Sequence, residues 1–257
     1  MQSAIQRYGY AAYAKFCKVD LFKRINNLDK ILETYYTKSG STGTKYPTLR
    51  LAVKQIQANK PQFILECGTG VSTIVIAECL HQLKQKDPTY SPLLISMESI
   101  EEWHMQAQGI LPEKYKKFTT IILGERKMFQ LHMFRGYRHS NIPKYDYDFV
   151  FLDGPNYKDE RGIACCMDSI FVREEVSKSK ILRGVIDTRV SSVYVHQQLY
   201  GTNSIKYSPL KRTSSFKLEK LPTPLTPKAP SEMFEYSLTG EVSASLPSLN
   251  SLHKITM

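Results

Sequence analysis

Residues Phe63 to Ser72 constrain this chain more than any other stretch. Phe63-Ile64-Leu65 is a short apolar run of strand character, and Glu66 closes it. Gly68 and Gly70 follow with one residue between them, and a helical pattern begins at once. Glycines at a strand-to-helix turn let the backbone bend sharply and approach a ligand without side-chain obstruction. The acid ahead of them can meet a polar or cationic part of that ligand.

From residue 62 the chain alternates strand and helix patterns. Strands are predicted at 62–66, 92–98, 118–123, 148–153 and 181–187, and helices at 72–86, 100–109, 160–177 and 190–200. Apolar strands alternating with helices indicate a parallel sheet covered on both faces. Weaker strand patterns at 203–207 and 214–219 predict a closing, hairpin-like edge. The connection 124–147 carries no clear pattern, and connections of that length near a site are often functional.

Ahead of this region lies a basic prefix. Residues 1–60 hold eleven Lys and Arg against three Asp and Glu, a large part of the net charge of +11. The first 18 residues are aromatic and basic with weak periodicity. From Asp20, read as an N-cap, Leu21, Ile25, Leu28, Ile31, Leu32 and Tyr35 recur at helical spacing. Ser39 to Gly43 break that helix, and a second helical stretch follows Thr48. The prefix reads as helices packed on the main domain or covering its site. Its charge suits nucleic acid, acidic glycans or a membrane surface, and equally a solvated helix face.

After Lys220 prolines lie among many Ser and Thr, so residues 221–257 read as a disordered or loosely attached tail. The resulting division is 1–60 prefix, 61–220 main domain and 221–257 tail. No apolar run has the length of a membrane span, and the N-terminus lacks a signal peptide's apolar core. Cysteines 17, 67, 79, 165 and 166 form no disulfide or metal-ligand spacing. Their odd number and the absent export signal predict reduced thiols and a cytoplasmic location.

The glycine turn departs from two familiar patterns. A dinucleotide fingerprint requires a third glycine where Thr73 stands, and no Gly-Lys-Ser/Thr ending follows as in a P-loop. Glu66-Cys67-Gly68-Thr69-Gly70, then Glu98 ending Leu94-Ile95-Ser96-Met97-Glu98, then Tyr147 to Pro155 with Asp153-Gly154-Pro155 at its end, appear in order. Together these segments resemble class I S-adenosylmethionine-dependent methyltransferases over residues 60–219. The resemblance implies an α/β, Rossmann-like fold: a mostly parallel seven-stranded sheet with helices on both faces, here behind an N-terminal helical prefix.

It also implies site roles. Gly68, Thr69 and Gly70 would pack against the methionine part of S-adenosylmethionine, and Glu66 would orient its amino group. Glu98 would accept hydrogen bonds from both ribose hydroxyls, as a carboxylate can. Ser72 and Ser99 would add polar contacts, and Glu125 and Arg126 follow the strand where adenine contacts are common in the family. Asp153 would face the transferred methyl group of the cofactor and contact the acceptor or a metal, serving as the base where the acceptor must lose a proton, with Asp187 second in that role. In some small-molecule O-methyltransferases of this class, acids in these two positions hold a divalent ion. Thr188 follows Asp187 where those enzymes tend to carry another acid or amide, so a divalent metal stays an alternative that the residues do not favour, and no metal ligand is assigned.

Secondary candidates are Trp103 for the adenine and His104, His132 and His139 as general bases. Arg161 and Arg189 would hold an anionic group of the acceptor, and Cys165-Cys166 read as packing inside an apolar helix. Three function classes follow. A methyltransferase acting on a small-molecule or saccharide hydroxyl is favoured by the compact domain and the Asp-Gly-Pro segment. A nucleic-acid methyltransferase would use the basic prefix, although no Asn/Asp-Pro-Pro-Tyr/Phe motif or RNA-binding module accompanies it. A catalytically inactive binding module would keep the fold alone.

Overall fold

The computed structural model describes residues 4–39, 45–156, 165–187 and 189–221. Arg161, Thr188, the first residues of the predicted 160–177 helix and the tail beyond Leu221 lie outside the described residues. Three helices open the chain: α1 (Ala4–Arg24), α2 (Leu28–Ser39) and α3 (Tyr46–Asn59). Helix α1 therefore runs through the stretch of weak periodicity, and Asp20 is not an N-cap. Its carboxylate lies inside α1 and accepts from Arg24 Nε at 2.8 Å and Arg50 Nε at 2.6 Å. The break falls after Arg24, where Asn27 takes a left-handed conformation (φ 58°) that asparagine tolerates. Helix α3 begins ahead of Thr48, with Pro in its first turn, where a missing N–H costs nothing.

The main sheet contains β1 (Phe63–Cys67), β2 (Leu93–Glu98), β3 (Thr119–Leu123), β6 (Phe149–Leu152), β7 (Leu182–Ile186), β8 (Ile205–Ser208) and β9 (Thr213–Leu218). Between β3 and β6 the chain forms β4 (Arg126–Leu131) and β5 (Phe134–His139), a separate antiparallel hairpin. The helices after the prefix are α4 (Val71–Lys86), α5 (Glu101–Ile110), α6 (Glu113–Lys116), α7 (Asp168–Phe171) and α8 (Val190–Tyr200).

The sheet order is β3-β2-β1-β6-β7-β9-β8. Strands β3, β2, β1, β6 and β7 run parallel, while β9 is antiparallel to both β7 and β8. The chain winds outward from β1 to β3 in one direction, then restarts beside β1 with β6 and proceeds the other way. The carboxyl ends of β1 and β6 thus flank the point where strand order reverses, the place where open α/β sheets bind ligands.

Strand side chains alternate between faces. Ile64, Leu94, Phe149, Phe151 and Val185 share a core with Leu21, Leu28, Leu32, Val53 and Ile56 of the prefix and with α4. Leu65, Ile95, Val150, Leu152 and Ile186 enter the opposite core with Val193 of α8. Helices α1–α3 therefore complete one face of the sheet, and α3 lies against α4, β7 and β9.

The hairpin explains the unpatterned connection. Leu131 pairs with Phe134 across a tight turn at His132, whose φ is 53°. The hairpin also corrects the reading of Cys165-Cys166 as helical. Tyr137 N–H donates to Cys165 O at 2.9 Å and Met167 N–H to Tyr137 O at 2.8 Å, so these residues run extended beside β5. Among the described residues of this stretch, helix runs from Asp168 and continues as a π-helical turn through Val176. No helix among the described residues is long and apolar enough to cross a membrane.

Candidate active site

The glycine turn is locked to the loop after β6. Gly68 has φ +95°, and a Cβ on it would lie 2.9 Å from Gly154 N and 3.0 Å from the Asp153 carbonyl carbon. A Cβ on Gly154 would in turn meet Gly68 Cα at 2.7 Å. The two backbones touch because both residues lack side chains, and this contact sets Asp153 beside the turn. Gly70 differs. Its φ of +155° again suits glycine, yet a Cβ there would meet nothing within 4 Å. The backbone at Gly70 thus borders open space at the N-terminus of α4, where amide groups and the helix dipole favour an anionic or electron-rich group.

A polar relay supports the turn. Gly70 N–H donates to Thr73 Oγ1 at 3.0 Å, Thr73 Oγ1 lies 3.4 Å from Ser96 Oγ, and Ser96 Oγ donates to Glu66 Oε2 at 2.6 Å. Thr73, which marks the departure from a dinucleotide fingerprint, therefore ties the turn to β2. Glu66 is fully buried, and burial pushes its carboxyl up to about 7, against the opposing hydrogen bonds of Ser72, Ser96 and Thr73. Its other oxygen, Oε1, is buried without a hydrogen-bond partner.

Glu98 ends β2 and curls over the turn. Its Oε2 accepts from Thr69 Oγ1 at 2.7 Å and Thr69 N–H at 3.3 Å, while its Oε1 accepts from Ser99 N–H at 2.7 Å and Ile100 N–H at 3.0 Å. Glu66, Gly68, Thr69, Gly70, Ser72, Glu98 and Ser99 are thereby linked within one constellation across the ends of β1 and β2. Glu125 is exposed between β3 and β4, and Trp103 stands 55% exposed on α5. Neither makes a polar contact with that constellation in the described structure.

Asp153 and Asp187 follow neighbouring strands, β6 and β7. A residue that sequence reasoning missed joins them. Lys45 Nζ, just ahead of α3, lies 2.8 Å from Asp153 Oδ1 and 2.8 Å from Asp187 Oδ2. Arg189 Nε lies 2.8 Å from Asp187 Oδ1, Arg189 Nη2 lies 3.8 Å from Asp153 Oδ1, and Arg189 Nη1 donates to Pro155 O at 3.0 Å. Arg189 thus grips the acidic pair and the Gly154-Pro155 loop.

The charges of the pair separate. Burial, then the Asp187 charge, pushes Asp153 up to about 6, although Lys45 opposes this. Burial works against the Asp187 carboxylate too, but Arg189 and Lys45 outweigh it and hold Asp187 below its usual value. Burial would lower the Lys45 ammonium, and the two carboxylates overcome that and raise it. Asp153 is consequently the member of the pair poised to take up and release a proton near neutral pH.

His139 does not belong to this centre. It is buried with Nδ1 3.0 Å from Asp168 Oδ1, and its backbone N–H donates to the same oxygen at 2.8 Å. The Cys166 thiol lies 3.1 Å from Asp168 Oδ2 and 3.1 Å from Gly154 O. Among the described residues, Cys67, His139 and Asp168 form a buried group with ligand-type atoms within 4.8 Å. Burial holds the Cys67 and Cys166 thiols well above their ordinary value, and so keeps them protonated. The Cys166 thiol, set between Asp168 and Gly154 O, braces the loop that carries Gly154. His104 lies on α5 and His132 at the hairpin turn.

No family model and no curated protein matches the chain. Solved structures do. A Staphylococcus aureus protein named as a "putative caffeoyl-CoA O-methyltransferase" superposes with a TM-score of 0.52 at 15% identity, over 81% of this chain and 99% of that one. The likeness shows the fold: a Rossmann-like, class I methyltransferase architecture with a seven-stranded, mostly parallel sheet.

Proposed function

We propose that this chain is an S-adenosylmethionine-dependent methyltransferase acting on a hydroxyl of a small molecule or saccharide. One observation carries the reading: Glu66, the Gly68–Gly70 turn, Glu98 and Asp153 converge on the reversal point of a sheet with methyltransferase topology. The O-methyltransferase name of the structural neighbour supports it.

The residues fit the cofactor. Glu66 Oε1 is a buried acceptor still in want of a donor, which an amino group would satisfy. The turn at Gly70 has room in front of it. Glu98 would exchange the Thr69 hydroxyl for those of a ribose. When bound, S-adenosylmethionine supplies a methyl group on a sulfonium, and the electron pair of the broken carbon–sulfur bond stays with sulfur.

The chain's own residues then do two things. Positioning the acceptor oxygen in line with the methyl group removes much of the entropic barrier. Asp153, in its ionised form, takes the hydroxyl proton as the oxygen attacks. Asp187, held ionised by Arg189 and Lys45, keeps Asp153 the more basic of the two.

Among the prefix cations, Lys45, Arg24 and Arg50 are ion-paired within the chain, which weakens the nucleic-acid reading. Five unpaired, buried cysteines support a reducing, cytosol-like compartment. The test is transfer of radiolabelled methyl groups to a panel of hydroxyl, amine and nucleic-acid acceptors. Transfer to a hydroxyl acceptor, reduced about a hundredfold or more in Asp153→Asn, is the expected result. Methylation confined to nucleic acid, or full activity in Asp153→Asn, would overturn the assignment.

A further inference from the structure

Two acids at the ends of neighbouring strands, with oxygen atoms turned toward a common point, are the donor set a hard divalent cation prefers. In this chain that point is taken. Lys45 Nζ stands 2.8 Å from one oxygen of Asp153 and 2.8 Å from one oxygen of Asp187. On the far side of Asp187, Arg189 Nε lies 2.8 Å from the remaining oxygen. Two carboxylates thus face two cations, and the local charge is balanced.

A metal ion entering here would have to displace the ammonium from both carboxylates and then sit beside the Arg189 guanidinium. It would also lack the six or so oxygen ligands such ions require, since both oxygens of Asp187 and Oδ1 of Asp153 already meet cations. The acidic pair does not fit a divalent cation.

We infer that Lys45 stands in for a divalent cation at the Asp153–Asp187 pair, so that the charge beside the acceptor oxygen comes from the prefix and not from a metal. An ammonium is a compact point charge with three N–H donors. Two of these meet the carboxylates. The Lys45 side chain remains 46% exposed, so the ammonium also faces the open side of the site. There it favours a developing negative oxygen, the service a metal performs as a Lewis acid, without lending coordination sites. The same contact pins the start of α3 to the ends of β6 and β7, and this makes the prefix part of the site.

What the charge does rests on the methyl-transfer reading, but its presence in place of a metal does not, so the decisive test needs no turnover. Free Mn²⁺ is titrated with the full chain and followed by electron paramagnetic resonance. The wild type is expected to leave the Mn²⁺ spectrum unchanged at about 1 mM, whereas Lys45→Met, which keeps an apolar stem and removes the charge, is expected to capture the ion at least about tenfold more tightly. Captured ion should be released again when Asp187→Asn is added.

Lys45→Arg should resemble the wild type, because a merely structural loss at Lys45 would not be mended by charge alone. Mn²⁺ binding by the wild type that disappears in Asp187→Asn would overturn the inference. Should Lys45→Met fail to fold, the wild-type and Asp187→Asn titrations decide alone: equal, absent binding upholds the inference and Asp187-dependent binding defeats it. Loss of S-adenosylhomocysteine binding would instead defeat the methyltransferase reading and leave the Mn²⁺ result standing.

Discussion

At the scale of single residues, the proposed chemistry turns on how burial and neighbouring charge divide Asp153 from Asp187. Asp153 is pushed up to about 6, first by burial and then by Asp187. The groups that face it are Lys45 ahead of α3, Asp187 after β7, Arg189 at the start of α8, and Glu66 of β1, whose own carboxyl is pushed up to about 7. A base works in its ionised form, so kcat/KM is expected to rise with pH through about 6 and then level. Lys45 favours the ionised form, and Lys45→Met should therefore move that limb to higher pH. A rate–pH profile that is flat from acid to neutral would contradict the role of Asp153.

The glycine turn and the acid ahead of it were legible in the sequence as one local feature, because turn chemistry is local. Gly68, Gly70 and Glu66 stand within a few residues of one another. Lys45 was not legible. It is one lysine among many in a basic prefix, and its partners lie 108 and 142 residues away. Only tertiary packing brings them together.

Elements show the same division. Strands β1, β2, β3, β6 and β7 fall where apolar runs predicted them, since a strand buried on both faces has little choice of composition. The β4–β5 hairpin was hidden, because Arg126, Lys127, Gln130, Arg135 and Arg138 interrupt its apolar residues without a clear period of two, and it lies outside the main sheet. Within the predicted 160–177 helix, Cys165 to Met167 run extended for a related reason: Cys165 and Met167 spend backbone groups on β5.

One interlock between elements can be tested directly. Gly68→Ala strains a positive φ and drives a Cβ into the backbone of Gly154, whereas Gly70→Ala meets strain but no neighbour. Thermal or denaturant unfolding should show Gly68→Ala to be the more destabilised, by about 1–3 kcal/mol beyond Gly70→Ala. Gly70→Ala should instead lose cofactor affinity through the space it fills. Equal stabilities for the two variants would remove the Gly68–Gly154 contact as the device that seats Asp153.

For the molecule as a whole, sheet order is what makes a site of scattered residues. The reversal between β1 and β6 gathers Glu66, Gly68 and Asp153, the next strands outward add Glu98 and Asp187, and the prefix closes the acidic pair with Lys45. Helices α1–α3 share a core with α4 and the sheet, so removing them would expose apolar surface as well as strip the site of a charge. A parallel sheet was foreseeable from strand–helix alternation, and its seven strands from the family resemblance. A prefix packed on the domain or covering its site was legible as well, but not which elements it meets, since helical periodicity says which face is apolar and not what that face covers.

The central claim is that the constellation around Glu66 and Glu98 binds the methyl donor, and calorimetry with S-adenosylhomocysteine tests it most directly. Wild-type protein should bind with one site per chain, and Glu98→Ala, which removes the proposed acceptor of the ribose hydroxyls, should weaken binding by about a hundredfold, or about 3 kcal/mol. A wild-type titration with no heat of binding across accessible concentrations, and no competing S-adenosylmethionine binding, would contradict the account.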